Sequence, residues 1–71
     1  MHISPNKLHH SKWTAVTPVN REKHFMVTRV IIPEDGSPIM QVDLQAVHSQ
    51  RTETIDWRDL QDEGRWCIGW K

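Results

Sequence analysis

Residues 24–32, with the sequence HFMVTRVII, decide the fold of this 71-residue chain. They are rich in β-branched and aromatic side chains, which favour a strand. The apolar side chains fall in both alternating phases, with Phe25 and Val27 in one and Met26 and Val30 in the other. A strand of this kind is either covered on both faces or shifted in phase by a bulge. We therefore predict a strongly bent or bulged central strand.

A hairpin is predicted directly after this strand. Asp35-Gly36 separates it from residues 38–46, and glycine readily adopts the positive φ that tight turns need. Residues 38–46 then alternate, with Val42 and Leu44 in one phase and Asp43 in the other. This alternation is typical of a strand with one buried and one wet face.

The remaining segments complete a small β domain. Residues 11–17 and 51–55 read as two further strands, and Asp56 as the N-cap of a short helical turn near residues 57–63. The Trp-rich tail, residues 65–71, is expected to fold back onto the sheet. We predict a flexible N-terminal arm over residues 1–10 and a single small β domain over residues 11–71.

The predicted fold class is mainly β, either a small antiparallel meander or an SH3-like, partly open barrel with that helical turn. An open sheet with the turn across one face is the alternative. A chain this short buries only about 60% of its unfolded surface, so each large ring matters. The predicted core consists of Trp13, Phe25, Val27, Val42, Leu44, Ile55, Trp57 and Leu60.

Several function classes are disfavoured by composition. A single cysteine excludes an intramolecular disulfide. The longest apolar run, residues 30–32, falls far short of the ~20 residues that span a bilayer. No basic segment followed by an apolar one opens the sequence, so we expect no signal peptide, a cytoplasmic location and no membrane association.

Catalytic and metal chemistry find little support in the sequence. The five histidines have no zinc-like spacing, and His9 and His10 are adjacent, so they point apart on a strand. Cys67 lies between Trp66 and Ile68, where we expect a small, unreactive core residue. We expect no metal, no cofactor and no catalytic residue, and therefore no enzyme.

The charge distribution suggests a basic binding face. The net charge is zero, yet residues 1–32 hold five Lys or Arg against one acidic residue, and residues 33–71 hold four against eight. Cations beside aromatic rings are typical of proteins that stack single-stranded bases, although a neutral chain attracts phosphate weakly overall. The candidate binding residues are Lys12, Arg21, Lys23, His24, Arg29, Arg65 and Trp70.

The partner is unknown from sequence. We favour single-stranded nucleic acid, RNA before DNA, and keep a protein partner or self-association as the alternative. Trp and Arg are enriched in protein-contact hot spots, and Trp70 is free to dock on a partner in that reading. A monomer or a weak homodimer is expected.

Four segments carry a resemblance to a known family. They are residues 11–16 (SKWTAV), residues 21–28 (REKHFMVT), residues 57–60 (WRDL), and the Arg65-Trp66 and Gly69-Trp70 pairs. The chain resembles, from about Lys7 to Lys71, the Trp-rich family of short bacterial proteins of unknown function. The resemblance implies no activity, cofactor or partner. Cys67 stands where a larger apolar residue is expected, which argues against an essential thiol.

Overall fold

The computed structural model describes residues 5–71 as one open, five-stranded antiparallel sheet. The strands are β1 (Lys12–Val19), β2 (Glu22–Ile31), β3 (Gln41–Ala46), β4 (Thr52–Asp56) and β5 (Trp66–Ile68). Their order in the sheet is β4-β3-β2-β1-β5, so the first four strands form a meander and β5 joins its far side. The prediction of a small antiparallel β fold is confirmed, and the sheet does not close into a barrel.

The central hairpin contains the predicted bulge. Val27 pairs with Leu44 and Val30 pairs with Val42, with a shift of register between Val27 and Arg29. The extra residue brings Val30 back to the side of the sheet that Val27 occupies. This explains why the apolar residues of β2 change phase.

A tight turn joins β1 to β2. Its two central residues, Asn20 and Arg21, have φ of 56° and 64°, and Val19 pairs with Glu22 across them. Two successive left-handed residues between antiparallel strands form a type I′ hairpin. The sequence predicts only a turn or loop here, because the usual Asn-Gly signal is absent.

β1 separates from β2 above this turn. The pairing jumps from Thr14 with His24 to Val19 with Glu22, so residues 15–18 face a single residue of β2. On its other edge, β1 pairs with β5 through Trp13, Thr14 and Ala15, and Ala15 lies opposite Trp66. The sheet is therefore split between its first two strands.

The link from β4 to β5 crosses one face of the sheet. It begins with a 3₁₀ turn, Trp57–Gln61, whose N-cap Asp56 accepts a hydrogen bond from the Arg58 amide at 2.9 Å. Leu60 on this turn is 1% exposed. The predicted cap is confirmed, but Gly64 does not end the turn in a left-handed conformation, because an extended Asp62 is the C-cap.

The core lies between the sheet and this crossing segment. Six of the eight predicted core residues are buried, whereas Ile55 and Trp57 are partly buried and pack against the others. Leu8 and Ala46 are also buried, and neither is among the eight predicted residues. The buried apolar residues are Leu8, Trp13, Phe25, Val27, Val42, Leu44, Ala46 and Leu60.

The predicted N-terminal arm is partly ordered against the sheet. Residues 1–4 lie outside the described residues. Pro5–Lys7 form a 3₁₀ turn, Leu8 is fully buried, and the His10 amide donates to the Val27 carbonyl at 2.8 Å. Residues 5–10 thus contribute Leu8 to the core.

Cys67 is a correction to the predicted core. Cys67 lies on β5, where it pairs with Thr14 of β1, and it is exposed. Successive strand residues point to opposite faces, so Cys67 points away from the side that Trp66 occupies. As a separate finding, neither helical turn within residues 5–71 has the length and hydropathy needed to cross a membrane.

A buried carboxylate ties the two turns at one end of the sheet together. Glu22 is 6% exposed and accepts hydrogen bonds from Arg51, with Nη2 to Oε1 at 2.8 Å and Nε to Oε2 at 3.0 Å. The Ser49 hydroxyl donates to the same carboxylate. These bonds, Arg51 first and Ser49 second, lower the pKa of Glu22 below its ordinary value of 4.5.

This pair predicts a loss of stability in acid. The Glu22 carboxyl stays ionised to lower pH in the folded than in the unfolded protein, so its stabilisation is complete above about pH 4.5 and fades as the pH falls through the folded pKa. We expect Glu22→Gln to flatten the dependence of unfolding free energy on pH below 4.5. Urea titrations across that range measure it.

Arg51→Met is the matched control for this prediction. It removes the main donor and leaves the Ser49 bond, so it should remove part of the acid-dependent stabilisation, and the double variant should lose no more than Glu22→Gln alone. An unchanged pH dependence in Glu22→Gln would contradict the assignment.

Candidate functional site

The face of the sheet opposite the core is polar and holds the candidate site. Lys12, Met26, Gln45 and Thr52 form one cross-strand row on β1 to β4. Each lies next in sequence to a residue of the opposite face, as Lys12 lies next to buried Trp13. We call this side the polar face.

An exposed tryptophan is fixed to the polar face. The Trp70 indole is 42% exposed, and its Nε1 donates to the Phe25 carbonyl at 2.9 Å. The Lys12 ammonium lies 4.7 Å from its ring centroid, a cation–π contact. The centroid of the His24 ring, on β2, lies 6.0 Å from the centroid of the Trp70 ring. The ring is therefore held in place before any ligand arrives.

Backbone contacts keep the tail around Trp70 in position. The Thr14 hydroxyl donates to the Gly69 carbonyl at 2.7 Å and accepts from the Lys71 amide at 2.8 Å. The Gly69 amide also donates to the Lys12 carbonyl at 2.7 Å. Gly69 has φ of +82°, a conformation that favours glycine. Trp70 thus sits on an anchored segment.

A basic groove begins at His24. Arg21, Lys23, His24, Val47 and His48 line it, with a volume of about 320 Å³. Phe25 pairs with Ala46, so the antiparallel register brings the residues after Ala46 beside His24. His48 is absent from the sequence-based candidates, and this β2–β3 register is the signal that identifies it.

We call these residues together the basic surface: Lys12, Arg21, Lys23, His24, His48 and Trp70. Within residues 5–71, no carboxylate oxygen lies within 4.0 Å of the side-chain nitrogens of Lys12, Arg21 or Lys23. Four acidic residues pair with other cations. The ion pairs among the described residues are Arg29–Asp43, Arg51–Glu22, Arg51–Glu53 and Arg58–Asp56.

Arg21 occupies a costly backbone position. It is the second central residue of the type I′ turn, where glycine is favoured. A left-handed conformation costs a residue with a side chain about 1–2 kcal/mol relative to the right-handed one. Despite this cost, Arg21 occupies the turn and lines the groove.

Five of the seven predicted site residues come together, and two do not. Arg29 has its Nε 3.7 Å from the Asp43 carboxylate, so its charge is locally balanced. Arg65 lines a different cleft, beside Trp66 and Gly64. The sequence predicts Arg29 from the positive charge of residues 1–32 and Arg65 from its neighbour Trp66, and neither signal determines the face of the sheet.

Two further chemical features of the described residues bear on the site. The Nε2 of His24 is buried without a hydrogen-bond partner. No group of three or more His, Cys, Asp or Glu side chains within residues 5–71 is arranged to hold a metal ion. The basic surface therefore offers the cations of Lys12, Arg21 and Lys23 and the exposed indole of Trp70 to a ligand.

Comparison with known proteins identifies a family. Residues 11–71 match the family described as Tryptophan-rich protein (DUF2389). No curated protein and no solved structure matches the chain.

Proposed function

Since the chain belongs to this tryptophan-rich family, whose function is unknown, we propose from the geometry that its basic surface binds single-stranded nucleic acid. The proposal is a binding function without catalysis. RNA is the first candidate, and DNA shares the phosphate and base chemistry that the surface would recognise.

One observation carries this proposal. The cations of the basic surface have no carboxylate partner among residues 5–71, although the net charge of the chain is zero. They adjoin an exposed indole that Lys12 already contacts. Unbalanced cations beside an accessible aromatic ring are the combination that sequence-independent single-strand binders use.

Each part of the surface has a distinct task in the bound state. A base stacks on Trp70, and the Lys12 ammonium leaves the ring for the phosphate of that nucleotide. His24 connects this stack to the groove, where Arg21 and Lys23 contact the following phosphates. The fixed indole loses little conformational freedom on binding, which favours affinity.

Salt dependence tests the phosphate contacts. We expect labelled RNA and DNA strands of about 12 nucleotides, within the range of site sizes for small β domains, to bind at low salt. Each phosphate neutralised on a single strand contributes a log–log salt slope of about −0.7, so three contacts give about −2. Fluorescence anisotropy of the labelled strand measures both quantities.

A Trp70→Ala variant tests the stacking contact in the same assay. Loss of one stacked base should weaken binding roughly tenfold, and Trp70→Phe should restore part of it. Ile68→Ala is the control, because it removes an apolar side chain that is 37% exposed from the same tail. Its affinity should stay unchanged.

Two results would contradict the proposal. Flat titrations for both strands at low salt would exclude single-strand binding. If, in addition, the sedimentation mass exceeds that of a monomer and falls to it in Trp70→Ala, the exposed indole serves protein contact or self-association instead.

A further inference from the structure

The split between β1 and β2 opens a cleft on the core side of the sheet. Ala15, Thr17, Glu22, Phe25, Arg65 and Trp66 are among its lining residues, and its volume is about 230 Å³. Pockets for drug-sized ligands have volumes of roughly 300–1,000 Å³. The cleft is thus suited to a ligand with about one ring.

Two aromatic rings form the apolar part of the cleft. Phe25 and Trp66 meet edge to face, with their centroids 5.1 Å apart and their planes at 90°. Ala15 lies opposite Trp66 on the neighbouring strand, and its small side chain leaves room above these rings. An aromatic ligand finds both a ring face and a ring edge here.

The indole of Trp66, which lines the cleft, differs from the other three in its hydrogen bonding. Trp66 Nε1–H is buried without an acceptor, whereas the other three indoles donate to Ser11 Oγ, the Ile39 carbonyl and the Phe25 carbonyl. Leaving a buried donor unpaired is costly, so such a group calls for an explanation.

The charges around the cleft favour an anion at Arg65. Glu22 and Arg51 satisfy each other through paired hydrogen bonds. Arg65 has no ion pair or hydrogen bond from its side chain to any of residues 5–71. A guanidinium recognises a carboxylate with two parallel donors.

We propose that this cleft binds a small aromatic carboxylate, with its ring against Phe25 and Trp66 and its carboxylate on Arg65. The site uses no residue of the basic surface. Its success or failure is therefore independent of nucleic-acid binding.

The indole signals of a ¹H–¹⁵N NMR spectrum test the proposal, with benzoate as the probe. Each of the four tryptophans contributes one indole N–H signal, and Trp66→Phe identifies the signal of Trp66. We expect benzoate to shift the Trp66 indole signal and the Ala15 and Thr17 amides saturably. The dissociation constant should be about millimolar, as befits a one-ring ligand.

Variants and matched probes decide the outcome. Arg65→Gln should weaken benzoate binding roughly tenfold, whereas Lys7→Gln, which removes an exposed charge elsewhere, should leave it unchanged. Benzyl alcohol supplies the ring without the charge, and acetate the charge without the ring. Equal responses to benzoate and to benzyl alcohol, or to benzoate and to acetate, would overturn the proposal. Chemical-shift changes confined to Cys67 and Ile68 would also overturn it, and so would the absence of any saturable change.

Discussion

Reversing the charges of Arg21 and Lys23 together, Arg21→Glu with Lys23→Glu, is expected to abolish binding of the single strand. Two of the three proposed phosphate contacts become repulsive, so affinity at low salt should fall by about 100-fold or more. Both side chains are exposed, and neither makes an ion pair within residues 5–71, so the fold should persist. Anisotropy titration measures the affinity, and a thermal melt of the same sample verifies folding.

The control for this variant changes the net charge equally at other sites. Lys7→Glu with Arg65→Glu alters two exposed cations outside the basic surface. It should retain most of the affinity. If both double variants lose binding alike, only total charge matters and the proposed surface is wrong.

Arg21→Gly separates the function of the side chain from its effect on the backbone. Glycine adopts the left-handed conformation of Arg21 freely, so this variant should be more stable by about 1 kcal/mol while it binds more weakly. Opposite changes in stability and affinity would distinguish a binding residue from a structural one.

Trp13→Ala is expected to have the largest effect on stability. Trp13 is 1% exposed, lies between Phe25 and Ile68 on the neighbouring strands, and donates from Nε1 to Ser11 Oγ at 2.8 Å. Truncating a buried Trp costs about 3–5 kcal/mol. A domain of this size has a total stability of roughly 4–10 kcal/mol, so the loss is a large fraction of the total. Urea denaturation monitored by circular dichroism measures the loss.

Trp57→Ala provides the comparison within the same core. The sequence ranks Trp57 with Trp13, but Trp57 is only partly buried and packs at the edge of the core. Its loss should therefore cost less, although its N–H bond to the Ile39 carbonyl at 2.8 Å is also removed. A Trp13→Ala variant with an unchanged urea midpoint would contradict this order.

Local patterns predict the centre of the sheet well. Alternation in β3 identifies Val42 and Leu44 as buried, and the change of phase in β2 reveals the bulge before Val30. These signals succeed because each depends on neighbours a few residues apart. Leu8 escapes the same reasoning, since a single apolar residue in a polar segment has no period.

The candidate site depends on contacts that local patterns cannot supply. Lys12 and Trp70 meet because β5 pairs with β1, and no periodicity in either segment encodes that pairing. A three-residue strand also carries too little alternation to set its phase, which is why Cys67 was predicted inside and lies outside. The sequence therefore identifies the cations and the tryptophan of the basic surface, but it does not show that they lie together on the polar face.

The pairing of β5 with β1 also bears on the order in which the sheet can form during folding. The Thr14 hydroxyl bonds to Gly69, 55 residues further along the chain. Closing so long a loop is entropically costly and slow compared with forming the hairpins of the meander. β1 to β4 can therefore pair before β5 docks, whereas the indole of Trp70 reaches Lys12 only when β5 pairs with β1. A partly folded or clipped chain without this pairing would keep the meander and its cations but would lose the indole of the basic surface.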